Sequence, residues 1–209
     1  MYKAIIWDLD GTLLDTTSGV TYAVKYTINQ LGLNMPSDDV IKSFVGPPMQ
    51  LSFKNLYGMN EEEALKAANL FRSNYKEKSL FMAELYQNVL NVLETLKQKG
   101  YVMAVATNKS HENAMQILTY FGIDKYCDFM MGSDFGGVLK KADIIKKCLE
   151  ELNVLPEESV YIGDSIFDLK GAEEIGMEFI GVTYGFDFKK GDVTTHRMVD
   201  SLKELDDIL

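Results

Sequence analysis

Short apolar runs alternate with amphipathic helical stretches over most of the chain. Residues 3–9 (KAIIWDL) gather apolar, β-branched and aromatic side chains ahead of Gly11, the pattern of a buried strand. Further strand-like runs fall at 101–106 (YVMAVA), 128–131 (DFMM), 159–163 (SVYIG) and 178–183 (EFIGVT). Helical spacing lies between them. Residues 86–99 carry Val89, Leu90, Leu93 and Leu96 on one face and stop at Gly100. Residues 110–121 open on Ser110 as N-cap, align Ala114, Ile117, Leu118 and Phe121, and close at Gly122. Residues 141–152 align Ile144, Ile145, Cys148 and Leu149, and residues 166–175 end at Gly176. Strands alternating with helices of this length predict a parallel sheet in an α/β fold.

One interval breaks the alternation. From Thr16 to Leu80 the pattern is helical only, with Val20, Ala23, Val24, Ile28 and Leu31 forming one face. Ser37 is placed to cap a short helix to Phe44, which Gly46-Pro47-Pro48 prevents from continuing. Asn60 with Glu63 has the form of a capping box before a helix bearing Leu65, Ala68, Phe71 and Tyr75. The interval therefore predicts a small all-α domain over residues 16–80, inserted into an α/β domain built from 1–15 and 81–209. The tail, MVDSLKELDDIL, reads as a short strand and a closing helix.

Composition narrows the class. The 209 residues are 46% hydrophobic and 11% aromatic, enough for a full core without disulfides or metal clusters. No stretch has the roughly 18–20 uncharged apolar residues of a membrane span. Asp8 and Asp10 lie where a secretory leader would need an apolar run, so the expectation is a cytoplasmic protein without a cleaved leader. Cys127 and Cys148 form no motif and read as reduced structural thiols. His111 and His196 have no zinc-like spacing, and Trp7 reads as core. With 21 Lys+Arg against 31 Asp+Glu, the net charge of −10 opposes binding to a nucleic acid polymer.

The acidity acquires a chemical meaning at two strand ends. In Asp8-Leu9-Asp10-Gly11-Thr12, residues i and i+2 of an extended chain point the same way. Both carboxylates then project past the C-terminal edge of the sheet, where open α/β sheets bind ligands. They repel unless one is protonated or a cation lies between them. Gly11 permits a tight turn that bares backbone N–H groups to an anion. Taken alone, the motif is equally an acidic strand-to-turn junction. A second pair, Asp164 and Asp168, follows the 159–163 strand. An isolated Gly-Asp-Ser there reads as a helix cap, but two such pairs on one sheet edge describe an oxygen-ligand site suited to Mg²⁺. Thr107-Asn108 after the 101–106 strand supplies a hydroxyl, an amide and a helix start, groups that hold phosphate. Lys140-Lys141 opens the 141–152 helix, where a lysine opposes the macrodipole; a solvated surface lysine is the ordinary reading of either.

In order along the chain, WDLDGTLLDT, VATNK, KKAD and YIGDSIFD resemble the four motifs of the haloacid dehalogenase superfamily of phosphohydrolases. FVGPPM, YKEK and GVTYGF resemble the branch holding phosphoglycolate phosphatases and 5′-nucleotidase-like proteins. The resemblance spans essentially the whole chain. It implies a Rossmann-like core with a small helical cap. It also implies Asp8 as nucleophile, Asp10 as general acid and base, Thr107 and Asn108 with Gly11 as phosphate contacts, and Lys141 as the neutralising cation, with Lys140 as the alternative. Mg²⁺ would be held by Asp8, the backbone carbonyl of Asp10 and Asp164, with Asp168 completing the site through water or orienting the lysine. The implied activity is Mg²⁺-dependent hydrolysis of a small phosphorylated metabolite through an aspartyl-phosphate, by a monomer or weak homodimer without membrane partners. A 5′-nucleotidase, a pyrophosphatase, a phosphomutase of the β-phosphoglucomutase kind and an idle binding module are the alternatives. Asp10 separates the chain from dehalogenases. Thr16, Thr17, Tyr22 and the Phe44–Met49 loop are the candidate cap contacts with substrate.

Overall fold

A computed structural model describes residues 2–134, 139–192 and 196–209. The chain divides into two compact units, Met1–Asp15 with Leu85–Leu209, and Thr16–Glu84. Among the described residues no helix is long and apolar enough to cross a membrane.

The first unit opens with β1 (Ala4–Trp7), every residue of which is buried. The chain turns at Asp10–Leu14 into the two-residue β2 (Leu14–Asp15), which pairs with β3 (Glu84–Leu85). The helical unit holds α1 (Thr17–Gln30), α2 (Asp38–Lys42), α3 (Met49–Tyr57) and α4 (Glu61–Asn74), then a π-helical turn at Tyr75–Ser79. Its core is set by i, i+3, i+4 spacing: Val20, Ala23, Val24 and Ile28 from α1 meet Ala64, Ala67, Ala68 and Phe71 from α4. Leu31 and Leu65, expected on these faces, are 40% and 41% exposed. Leu31 lies beyond the last turn of α1. Leu65 is one position, about 100°, around from the alanine face along which α4 packs. The Asn60–Glu63 capping box is present at 3.0 Å in both directions. Ser37 stands at the N-cap of α2 but makes no capping hydrogen bond, and the helix ends at Lys42 rather than Phe44.

The α/β unit continues with α5 (Val89–Gln98), β4 (Val102–Ser110), α6 (His111–Tyr120), β5 (Phe129–Ser133), α7 (Lys141–Leu152), β6 (Ser159–Gly163), α8 (Ile166–Glu174), β7 (Glu178–Val182) and β8 (Arg197–Val199). Six strands form one sheet in the order β5-β4-β1-β6-β7-β8, each pair parallel. The closing helix is a 3₁₀ segment, Leu202–Asp207. Ile6, Ala104, Ala106 and Tyr161 of the sheet share a core cluster with Ile144, Ile145 and Cys148 of α7 and Leu169 and Ala172 of α8. Trp7 is fully buried.

Register positions the chemistry. Trp7 pairs with Val105 on one side and Ile162 on the other, so the chain after β1 leaves the sheet level with Ala106 and Gly163. Successive strands run outward from β1 to opposite sides. The C-terminal ends of β1, β4 and β6 therefore flank the switch point of the sheet, where an open α/β fold leaves a crevice.

Candidate active site

Asp8 follows β1, and its backbone N–H donates to Ile162 O at 2.8 Å, continuing the ladder one step. The chain then curls back, with the N–H groups of Leu13 and Leu14 both donating to Leu9 O. Gly11 makes that curl with φ +90°. A Cβ there would also collide with the Asp164 carboxylate, so this glycine serves both the turn and the close approach of β6.

Asp164 emerges from β6, and its Oδ2 accepts from Phe186 N–H at 2.7 Å. Gly185 gives that loop room, since a Cβ there too would strike Asp164. The Thr-Tyr-Gly-Phe segment thus wraps Asp164, a role invisible in its sequence. Asp168 sits in the first turn of α8, where Ser165 forms a capping box with it. Its Oδ2 accepts from Ser165 N–H at 3.0 Å and Ser165 Oγ at 2.6 Å. The helix-cap reading of Gly-Asp-Ser is therefore correct for Ser165, and Asp168 retains Oδ1 for another partner.

That partner is Lys141. Its Nζ lies 2.6 Å from Asp8 Oδ1 and 2.8 Å from Asp168 Oδ1, with all three side chains almost fully buried. Gly171 of α8 makes the slot, because a Cβ there would approach the lysine Cγ to 2.6 Å. Burial alone would lower the Lys141 pKa, but the charges of Asp168 and Asp8 and the hydrogen bonds to them reverse this and keep it an ammonium. Lys140, one residue earlier, is exposed, and its backbone N–H caps α7 on Asp143 Oδ2 at 3.0 Å. Only one of the two lysines reaches the carboxylates.

Asp8, Asp164 and Asp168 each present a carboxylate oxygen within 4.8 Å of the others, all buried. Burial, and then the charges of the neighbouring carboxylates, push Asp8 and Asp164 above the usual carboxylate range. Fully ionised, three carboxylates against one ammonium would leave two negative charges in a dry site, and the upward shifts of Asp8 and Asp164 express the resistance to that state. That donor set, hard oxygens with a double negative excess, fits a divalent cation such as Mg²⁺.

Thr107 is buried within β4, level with Gly132 of β5 and just before the point where the register slips between Thr107 and Ser110. Asn108 lies half-buried in this bulge. Ser110 occupies the N-cap of α6 without a capping hydrogen bond. The cap candidates belong to the helical unit. Phe44 is in its core against Phe53, with ring centroids 5.0 Å apart, Thr16 is buried, and Tyr22 is 46% exposed.

Two side chains outside the expected set join the carboxylates. Lys109 Nζ is 3.0 Å from Asp10 Oδ1. Tyr161, which reads in sequence as strand core, donates its hydroxyl to Ala106 O at 2.7 Å and accepts from Lys141 Nζ at 3.1 Å. Burial and the charges of Asp168 and Asp8 push this phenol well above its ordinary range, so it stays a neutral donor. Tyr161→Phe deprives two buried groups of a partner and is expected to cost about 1–3 kcal/mol of stability. Thermal unfolding checks this, at roughly 2–4 °C of Tm per kcal/mol for a chain of this size.

Buried carboxylates around one lysine thus stand at the switch point of a parallel sheet, the edge at which such folds bind ligands. Residues 5–182 match the haloacid dehalogenase-like hydrolase family, to which this chain belongs. Among its relatives are a 5′-nucleotidase of Pseudomonas aeruginosa, 33% identical over 88% of this chain and 84% of that protein. The tyrosine-protein kinase PtkA of Mycobacterium tuberculosis is 32% identical over 97% of this chain and 72% of its own length. A phosphoglycolate phosphatase of Aquifex aeolicus is 27% identical over 98% and 97%. The crystal structure of a predicted phosphatase from Clostridium acetobutylicum superposes with a TM-score of 0.93 at 34% identity, covering 100% of this chain and 98% of that one.

Proposed function

We propose that this protein is a Mg²⁺-dependent phosphatase that hydrolyses a small phosphate monoester through an aspartyl-phosphate on Asp8. The observation that carries the reading is the buried set Asp8, Lys141, Asp164 and Asp168, in which Lys141 holds both Asp8 and Asp168. With Oδ1 engaged by Lys141, Asp8 Oδ2 is the oxygen left to attack phosphorus. As that bond forms, the bond from phosphorus to the leaving oxygen breaks, and Asp10 delivers the proton the leaving oxygen needs. Water then attacks the phosphorus of the acyl phosphate. Its proton passes to Asp10, and Asp8 and inorganic phosphate are released.

Thr107 accepts from Lys109 N–H at 3.2 Å, which leaves its own O–H to donate to a phosphoryl oxygen, with Asn108 beside it. Lys141 supplies fixed positive charge where the phosphoryl group gains negative charge. Asp8, Asp164 and the backbone carbonyl of Asp10 would hold Mg²⁺, with Asp168 joining through water or orienting Lys141, and the cation would withdraw charge from the phosphoryl oxygens. The cation sets the local sign of the field, so the protein's net negative charge does not exclude an anionic substrate.

Likeness to the phosphoglycolate phosphatases and the 5′-nucleotidase favours a small metabolite as substrate, with phosphoglycolate first. Release of inorganic phosphate is the test, across phosphoglycolate, nucleoside monophosphates, sugar phosphates and pyrophosphate. Mg²⁺-dependent release from one of these far above the rest is the expected result. Removing the metal with EDTA should lower the rate at least about 100-fold, and re-addition should restore it. Isomerisation of a sugar phosphate without phosphate release would convert the reading to a mutase. Absence of turnover on every compound would overturn it.

A further inference from the structure

We propose that Lys109 is a positioning residue that holds Asp10 at the angle from which it serves the leaving group; this rests on the acid role proposed for Asp10. The backbone is built to deliver this lysine. The Lys109 N–H donates to Thr107 Oγ1 at 3.2 Å, a two-residue side-chain turn that folds the chain back immediately after the phosphate-contact threonine. The bulge between Thr107 and Ser110 lies at the same place and re-aims the side chains that follow. Gly132 on β5 makes the room: a Cβ there would stand 2.6 Å from the Lys109 carbonyl oxygen and from His111 Cα. Three local features thus converge on one side chain, which places its ammonium 3.0 Å from Asp10 Oδ1.

The setting makes the contact consequential. The Lys109 side chain is 7% exposed and that of Asp10 19% exposed, so solvent screens the pair little. Asp10 Oδ1 is buried and takes no aligned hydrogen bond, so the ammonium restrains it by charge rather than by a directed bond. Asp10 itself stands three residues past the end of β1, immediately before the Gly11 turn, with one isolated bridge to Leu14 as its strand-like pairing. Without Lys109 its carboxyl group is free to rotate away from the crevice. The two lysines then divide the labour: Lys141 fixes the attacking carboxylate, and Lys109 fixes the one that serves the leaving oxygen.

The test separates this role from direct phosphate binding and from general structural support. An aryl leaving group such as that of p-nitrophenyl phosphate departs as a stable anion and needs little proton transfer. An alkoxide needs it fully. We expect Lys109→Met to reduce kcat/KM for the best alkyl phosphate of the panel about 100-fold and that for p-nitrophenyl phosphate less than about threefold. Since kcat/KM covers only the steps through leaving-group departure, the later attack of water does not enter. The ratio of the two substrates in one preparation is independent of the fraction folded. Lys109→Gln provides the same ratio should the methionine variant accumulate poorly. In an Asp10→Asn background, adding Lys109→Met should cost the alkyl substrate nothing further. Equal losses on both substrates, or a further loss in that background, would overturn the proposal. A wild-type protein inactive on both would overturn the phosphatase reading and the proposal with it.

Discussion

Asp8→Asn is expected to lower turnover by at least about 10⁴-fold on every substrate while leaving the protein folded and, without metal, more stable. The activity loss follows from the chemistry: an amide oxygen is a poor nucleophile, and a covalent route has no substitute for its attacking group. The gain in stability follows from the surroundings. Burial, and then the charge of Asp168, raise the Asp8 pKa from its ordinary 3.8 to about 7, against the pull of Lys141. A carboxyl whose folded-state pKa lies above its unfolded value holds its proton longer in the native state. Stability from this group therefore falls as pH rises from about 4 to about 7, and stays reduced above that. Asparagine removes the charge, leaves Lys141 on Asp168 at 2.8 Å, and abolishes this slope. The measurement is Tm against pH for both proteins without divalent ions, where the variant should lie higher at pH 8 and converge with the wild type near pH 4. Added Mg²⁺ should raise the wild-type Tm more than that of the variant, since the cation relieves the repulsion that asparagine has already removed. A Tm that drops in Asp8→Asn at pH 8 would mean that the pair with Lys141, not carboxylate repulsion, dominates this part of the fold.

The elements most legible in the sequence were those buried throughout. β1, β6 and β7 read as strands because Ala4–Trp7, Val160–Ile162 and Phe179–Val182 are continuous apolar runs, as a strand covered on both faces must be. β4 was legible only to Ala106. Its polar continuation, Thr107–Ser110, is drawn into the ladder by β5 through a bulge, and hydropathy carries no signal for that. On α4 the expected face is buried at Ala68, Phe71 and Tyr75, and only Leu65 falls outside it, because close helix packing selects the small side chains Ala64, Ala67 and Ala68. At the site, paired carboxylates near strand ends were visible because strand geometry makes i and i+2 neighbours. The partners of Tyr161 were not, since Ala106 and Lys141 come from elements 55 and 20 residues away. Lys109 stood in a stretch already marked for phosphate. The bulge that turns it toward Asp10 arises from pairing with Gly132, a contact that no local pattern encodes.

Lys141→Met tests the opposite charge at the same centre and should be the more damaging variant to the fold. Methionine has nearly the length and volume of the lysine stem, so the Gly171 slot stays filled and the change is chiefly the loss of charge. Asp8 and Asp168 would then face each other with no cation between them, alongside Asp164. Removing one partner of a buried ion pair costs about 3–5 kcal/mol, because the charges left behind remain desolvated and unpaired. At roughly 2–4 °C per kcal/mol, the metal-free Tm should fall by about 6–20 °C. Lower pH should restore much of that loss, since protonation relieves carboxylates that have lost the ammonium between them, whereas Asp8→Asn should show no such recovery. Turnover should drop at least about 10²–10³-fold even with Mg²⁺ in excess, because a preorganised charge at the developing phosphoryl anion is lost. The double variant Asp8→Asn/Lys141→Met decides how the centre is balanced. With Asp8 neutral, the lysine has only Asp168 to offset, so removing it should cost clearly less Tm than in the wild type. Equal costs in the two backgrounds would show that Lys141 acts through Asp168 alone, and that its 2.6 Å contact with Asp8 contributes nothing to holding the attacking group.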